Sequence, residues 1–532
     1  LTSSRFYEED NEKTLRSHFI TFSGSYERDL YKAFFNAHTN KIDADEIGGI
    51  QNKSEFESGV QDIFTVFLED AQSINKSRSI HLSQKINLSQ GIKNLFTQKD
   101  TTMTMEDTSD APGDDTLTND TLDIPNDSIA NLSNDTSFAK ESKPITEEFA
   151  LIHNLDYSTD LYKYSDNSPI QGFYSFTPIH VDSAKTRDKA ENKILSNKIW
   201  LSYISPGFKM NAGINHQWVK YGYIKRSTVE DTQIKYNALN TRTYNNTELY
   251  GSIKKNFSFK TKIHGEAGYY FTGYKQGDFF GQFNIAQQID SSIFSIDSKL
   301  EVSEPHFYYR HYNSNYFQWN NNFDKTTTLR GAVNFKNKNQ NLNINLHSSL
   351  VRNYVYMDSS ISQSRIPQDT SIKPIQYDKD LILAAASINK TFTFWKFHLD
   401  NNLHFQYSSN DKVVSIPRWY VEETFMLRHT FHFKITDGKL HAQLGINMFY
   451  YPEYYADAYM PSLNLFHNQG EQKIGGKFIF NVFANVKVKR TSAFVKVYHI
   501  NSPIQSRNYY TAPSYPMAPL MLKFGVFWTF YD

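Results

Sequence analysis

Alternation of apolar and polar side chains over runs of about ten to fourteen residues limits this chain more than any other feature. In 438–451, Ala442, Leu444, Ile446, Met448 and Tyr450 alternate with His441, Gln443, Gly445, Asn447 and Phe449. In 395–408, Phe397, Leu399, Leu403, Phe405 and Tyr407 alternate with His398, Asp400, Asn402, His404 and Gln406. Leu342, Ile344 and Leu346 alternate with Asn341, Asn343, Asn345 and His347, and Phe478, Phe480, Val482, Ala484, Val486 and Val488 with Asn481, Asn485, Lys487 and Lys489. A period of two belongs to strands with one greasy and one wet face. Globular strands average ~5–6 residues, whereas a tilted membrane strand needs ~9–11. The lengths therefore favour a membrane barrel over a soluble sandwich.

The breaks between these runs alternate short and long. Residues 337–339, the break near Trp395, 436–438 and Arg490 are short, whereas 359–379, 409–420, 452–475 and 501–518 are long. Outer-membrane barrels have short periplasmic turns and long extracellular loops. With the C-terminus in the periplasm, every short break falls on the periplasmic side, a regularity that a soluble meander has no reason to keep.

Composition agrees. Mean hydropathy is −0.58, too polar for a bundle of membrane helices, and the longest mostly apolar stretch, 381–388, is far below the ~20 residues of a spanning helix. Yet 41 Phe, 35 Tyr and 6 Trp make 15% of the 532 residues. A barrel reconciles the two, because alternate side chains face lipid and a wet lumen. The absence of cysteine excludes disulfide staples and thiolate metal sites. Lys+Arg and Asp+Glu balance at 56 each, which gives no sign of a nucleic-acid partner. No signal peptide is visible at 1–6, so an exported protein would here be numbered from its mature chain.

The first half is less regular. Segments 15–25, 60–69, 147–158, 198–204, 209–224, 243–255, 260–272 and 293–302 read as strands. The whole chain, 1–532, is expected to be one all-β domain, a transmembrane antiparallel up-and-down β-barrel best supported over 146–532. About 16 strands are expected (range 14–20), an even number placing both termini in the periplasm. Segment 101–135 holds nine acidic residues and no Lys or Arg. It reads as an extracellular acidic loop that binds cations or guards a mouth, or more simply as a solvated, disordered connection.

The C-terminal run 521–532, MLKFGVFWTFYD, puts Leu522, Phe524, Val526, Trp528 and Phe530 on one apolar face. Within it Lys523, Gly525, Trp528 and Phe530 follow the pattern polar–x–Gly–x–x–aromatic–x–aromatic. This resembles the signal by which bacterial barrels pair their last strand with the insertion machinery, through edge-strand addition; the alternative is an ordinary aromatic strand.

Further segments resemble the "putative porin" family of Bacteroidota outer membranes. They are 353–358 (NYVYMD) with 366–368 (IPQ), 454–459 (YYADAY) with Phe466 and Gln469 downstream, the strand–turn–strand unit 482–501, and 509–517 (YYTAPSYPM). The match covers about 340–532 well and the region before Glu147 poorly. It implies a barrel exported with a signal peptide, located in the bacterial outer membrane and conducting small hydrophilic solutes by passive diffusion. The alternative is a non-conducting accessory subunit of a larger outer-membrane complex in secretion, barrel assembly or nutrient uptake.

Candidate lumen-lining residues on the wet faces are His398, Asp400, His404, Arg428, His432, Lys434, Lys487, Lys489 and Lys496; opposed charges there would set a transverse field, or pair and form a plug. Tyr455, Asp457, Tyr459, Tyr510, Pro513, Tyr515 and Pro516 fall in expected extracellular loops. They read as a constriction or ligand platform, or as an aromatic girdle with proline-fixed loop bases. Neither a Walker A, a G-x-S-x-G, an HExxH nor a dinucleotide fingerprint is present. No enzyme activity and no cofactor or metal are expected. The expected partners are outer-membrane lipid, the barrel-assembly machinery and other outer-membrane proteins, with no nucleic acid.

Overall fold

The computed structural model describes residues 14–59, 64–89, 147–170, 173–174, 185–224, 239–257, 260–361, 370–433 and 439–528. Nineteen strands form one antiparallel sheet. They are β1 (Leu15–Arg28), β2 (Tyr31–Glu46), β3 (Ala71–Asn87), β4 (Glu148–Asp166), β5 (Thr186–Ser205), β6 (Phe208–Ile224) and β7 (Leu239–Asn256). Then come β8 (Thr261–Thr272), β9 (Phe279–Ile289), β10 (Ser292–Ser303), β11 (Thr326–Asn337), β12 (Leu342–Arg352) and β13 (Leu381–Phe394). The last six are β14 (Phe397–Ser408), β15 (Trp419–Phe431), β16 (Leu440–Tyr450), β17 (Ile479–Val488), β18 (Thr491–Tyr498) and β19 (Met521–Trp528). Each pairs with the next in sequence, an up-and-down meander. Among the described residues, no pairing joins β1 to β19, and no helix is long and apolar enough to cross a membrane.

Among the described residues the sheet has nineteen strands, not the expected sixteen; the count lies inside the range 14–20 but is odd. β1 and β19 therefore run in the same direction, and Leu15 and Trp528 lie at opposite ends of the sheet. This corrects the expectation of an even meander with both termini on one side. Of the segment 60–69 expected as a strand, residues 64–69 are described and form no strand of the sheet. They lie in the β2–β3 connection, where Leu68 is fully buried and Phe64 packs edge-on against Phe56 at 5.2 Å. Their apolar side chains serve a loop core, not a lipid face. β2, β3 and β9 carry no clear alternation and were not foreseen. Segments 147–158 and 198–204 are parts of the longer β4 and β5.

Connections at one end of the sheet are short: 29–30, 206–207, 257–260, 290–291, 338–341, 395–396, 432–439 and 489–490. At the other end they run 47–70, 167–185, 225–238, 273–278, 304–325, 353–380, 409–418, 451–478 and 499–520. We call these the turn end and the loop end. One long connection breaks the parity: residues 88–147 leave β3 and enter β4 at the turn end. The acidic segment 101–135, expected as an extracellular or disordered loop, lies outside the described residues.

The two faces of the sheet separate by residue type, as period two requires. Leu346, Phe405, Phe425, Leu444, Ile446 and Val526 lie on one face and are exposed. The opposite face is polar and knit by cross-strand hydrogen bonds. Asn215 donates to Glu248 (3.0 Å), Asn284 and Asn334 to Asp297 (2.5 and 3.0 Å), Asn447 to Glu422 (2.9 Å) and Asn481 to Asn447 (3.0 Å). The long connections fold against this second face, which is therefore the inner one. The two margins of the sheet meet through their loops. The N–H of Ile50, between β2 and β3, donates to the carbonyl of Ser514, between β18 and β19, at 2.8 Å. Gly49 (φ 92°) permits this approach, since a Cβ there would sit 2.7 Å from Ser514 Cβ.

Candidate functional site

The site is the polar inner face together with the layer of loops that covers its loop end. The layer is built from aromatic residues. Phe307, in the helical turn Phe307–Arg310, is fully buried and stacks on Tyr221 of β6 with centroids 4.4 Å apart and planes at 4°. Tyr308 donates to the carbonyls of Glu191 (2.6 Å) and Gly222 (3.1 Å), tying the β10–β11 connection to β5 and β6. Tyr174 stacks on Tyr316 at 4.1 Å and donates to Asp166 at 2.6 Å, and its hydroxyl also shares a hydrogen bond with that of Tyr164. From the far side of the sheet, the β16–β17 connection reaches β3 and β4. Tyr162 donates to the Pro461 carbonyl, and Asn464 to Asn75 at 3.2 Å. Between the inner face and this layer lies a cavity of about 240 Å³ whose lining includes Asn40, Asp160, Tyr162, Asn192, Tyr308 and Asn464.

Carboxyl groups are buried in the layer. Asp188 sits in the first part of β5, where the outward side chains are Arg187, Lys189, Glu191 and Lys193, so this stretch stands clear of the apolar band. Burial pushes its carboxyl up to about 7, although the Asn315 N–H, donating at 2.8 Å, pulls the other way. Glu46 is raised by burial and accepts from Ser73 at 2.5 Å. Asp457 is raised by burial as well, and its Oδ1 has no partner among the described residues. A neutral buried carboxyl can stay docked without a counter-ion, whereas a charged one needs a partner.

Six of the expected lumen residues do lie on the inner face. Asp400 accepts from Thr391 (2.7 Å), His398 pairs with Thr393 (3.2 Å), and His404 stacks on Tyr420 at 4.1 Å. Arg428 rests its Nε on the Met426 sulfur at 3.3 Å. Lys487 stands across from Ser492, and Lys496 lies over the Tyr498 ring at 4.2 Å. Two do not: His432 lies past the end of β15, and Lys489 occupies the β17–β18 turn with φ 50°. Both are corrected from lumen to turn-end positions, where alternation no longer dictates direction. Lys434 and Phe530 lie outside the described residues.

The loop motifs belong to the layer rather than to a girdle. Tyr459 meets Tyr515 edge-on at 6.1 Å, joining two connections, and donates to Asn464 at 3.1 Å. Tyr510 donates to Glu57 at 3.0 Å, while Pro513 and Pro516 flank a tight hairpin whose Ser514 has φ 64°. Asp457 is half-buried and Tyr455 is exposed. At the C-terminus, Lys523 and Gly525 face inward and Trp528 outward. A Cβ on Gly525 would fall 2.6 Å from the exposed Phe494 ring, which would have to turn aside to admit it. The sequence reading missed Phe307, Tyr308, Tyr174, Tyr162 and Asp188. The aromatic run 307–309 inside a long connection was the available signal.

A family model described as "Putative porin" matches residues 1–532, including the region before Glu147 that resembled the family poorly by eye. No curated protein is significantly similar. Solved structures share the fold at low identity. The siderophore receptor PirA from Acinetobacter baumannii is 9% identical with a TM-score of 0.55, over 97% of this chain and 71% of that one. The copper transporter OprC is 9% identical with a TM-score of 0.57, over 94% and 68%. The ferric enterobactin receptor PfeA from Pseudomonas aeruginosa is 9% identical with a TM-score of 0.58, over 98% and 71%. Family and fold together point to a transport protein of the bacterial outer membrane.

Proposed function

We propose that this chain, which belongs to the "putative porin" family, is an outer-membrane channel that passes small hydrophilic solutes by passive diffusion. The observation that carries the reading is the division of the sheet into an exposed apolar face and a polar, hydrogen-bonded inner face. The apolar face has the height of a bilayer. On β16 it runs from Leu440 to Tyr450; ten residue steps of ~3.3 Å at a tilt of ~45° rise about 23 Å, near the ~25 Å of outer-membrane barrels. Aromatic rings mark both rims: Trp419, Tyr450 and Phe478 at the loop end, with Phe394, Trp395 and Phe431 at the turn end.

In this reading the meander closes into a barrel with β1 beside β19, as the contact between Ile50 and Ser514 at its margins favours. The turn end faces the periplasm, and Lys523, Gly525, Trp528 and Phe530 guide the last strand to the assembly machinery. Purified protein in planar bilayers is expected to give stepwise conductance. Silence at every voltage from a correctly folded sample would refute conduction.

The loop layer favours a second reading, a non-conducting accessory subunit, because aromatic residues from several connections fill the loop end of the inner face. Native mass measurement after gentle detergent extraction separates the two. A stable complex with a different protein supports the accessory subunit, and a monomer or homo-oligomer opposes it.

A further inference from the structure

Three connections at the loop end enclose a crevice that the channel reading leaves without a role. The hairpin in 353–380, the connection 409–418 and the connection 451–478 surround a cavity of about 820 Å³. Ligand sites commonly measure roughly 300–1,000 Å³. The walls are fixed by bonds between the loops. Asn468 takes the Met357 carbonyl with its N–H at 3.0 Å, and its side chain reaches the Val413 carbonyl at 3.1 Å. Ser359 donates to the Asn468 carbonyl at 2.6 Å, and Tyr454 and Ile474 bridge the base of the third connection at 3.1 and 3.0 Å. The crevice is thus preformed, which lowers the ordering cost of binding.

Its lining is unusual in charge. Asp358, Asp411 and Glu453 stand in the same cavity as Lys412, Arg418 and Lys473. Among the described residues no ion pair within 4 Å joins any of the six. Lys473 instead lies over the Tyr455 ring at 5.0 Å. Trp419 adds an exposed indole, and Tyr454 further apolar surface, to the same walls. The scaffold amides of Asn468 and Gln469 are already committed to loop carbonyls.

A polyanion would meet three carboxylates here, and a polycation three cationic groups. A neutral sugar would use the aromatic rings but leave the charged groups of both signs unpaired as they lost water. The ligand that satisfies the whole lining carries separated positive and negative ends with an apolar body between them.

We propose that this crevice is a binding site for short zwitterionic peptides, which it gathers at the outer surface. The proposal rests on the channel reading only for its orientation, since the loop end must face outward for the crevice to meet solutes from the medium.

The test uses the full-length protein in detergent, with Trp419 as reporter. Gly-Tyr-Gly with free termini is titrated while intrinsic fluorescence is recorded, alongside the N-acetylated, C-amidated tripeptide and maltotriose. A saturable change is expected for the free tripeptide, and it should vanish in Trp419→Phe while calorimetry still detects binding. Blocking the termini should weaken affinity at least about tenfold, as should Arg418→Ala or Asp411→Ala, each of which removes one member of a charged contact. Heat-modifiable gel migration verifies that every variant keeps its folded sheet, and Lys473→Met supplies a second cationic variant if Arg418→Ala fails to fold. Absence of saturation by the free tripeptide overturns the proposal, as does equal binding of the blocked peptide or of maltotriose. Conductance is recorded on the same preparation. Protein that conducts but does not bind overturns the crevice alone; protein that binds without conducting upholds the crevice and removes passive conduction.

Discussion

Phe307→Ala should undock the loop layer while leaving the sheet intact. The ring is fully buried, stacked on Tyr221 and within 6.2 Å of Tyr223, Tyr244, Tyr274, Tyr308 and His311. Truncating a buried Phe costs about 3–5 kcal/mol, through lost transfer energy and the cavity left behind. None of these contacts is a ladder hydrogen bond, so the cost falls on docking of the 304–325 connection. At about 1.4 kcal/mol per tenfold, the docked-to-undocked ratio should drop by roughly a factor of a thousand. Trypsin reports this directly, because Arg310 sits in the connection and is held by Glu304 when docked. Protein reconstituted in bilayers should show faster cleavage after Arg310 and a larger, noisier conductance, with unchanged heat-modifiable migration. Cleavage within about threefold of wild type, on a folded sheet, would mean that the aromatic cluster does not hold the layer.

Three further perturbations probe other parts of the molecule. Burial holds Asp188 at about 7 against an ordinary 3.8, so the docked state binds its proton more tightly than the undocked one. Docking should then be strongest below about pH 4 and weaken as pH rises through about 7, by up to an order of 4 kcal/mol; Asp188→Asn should flatten the pH dependence of trypsin cleavage, and an unchanged profile would rule the carboxyl out. Since the chain has no cysteine, Asp290→Cys in the exposed turn between β9 and β10 and Ser415→Cys report sidedness without background. An impermeant maleimide on intact cells should label Ser415→Cys only, with Asp290→Cys reacting after permeabilisation, and the reverse pattern would invert the orientation. Trp528→Ala combined with Phe530→Ala should lower outer-membrane levels several-fold by weakening recognition of the last strand; normal levels would leave that strand a purely structural role.

In the channel reading the alternation visible in β12, β14, β16 and β17 comes from contact with lipid, and this explains where it fails. On β2 the outward positions Tyr31, Phe35 and Ala37 give way to Thr39, Lys41, Asp43 and Asp45 as the strand rises above the apolar band. β3 does the same, with Ile80, Leu82 and Ile86 below Arg78, Lys76 and Gln72. Where water meets both faces, nothing forces a period of two, so these strands read as polar coil. On β9 the inward Phe280 and Ala286 blur the pattern from the other side. Segment 60–69 misled for the converse reason, being apolar in order to bury Leu68 under other loops. Connection parity was the more robust signal, because it depends on topology rather than on side-chain contrast, and only the long connection between β3 and β4 interrupts it among the described strands. The loop layer had no comparable signal. Tyr162 and Pro461 are 299 residues apart in sequence, and no local pattern encodes which carbonyl a tyrosine will find. The same limit governs the lumen: period two assigns His398, Asp400 and Arg428 to the inner face, but the layer that covers its loop end is docked by Phe307, Tyr308 and Tyr174. Those side chains come from connections that carry no period at all, so the conduction experiment has to be read together with the state of the loop layer.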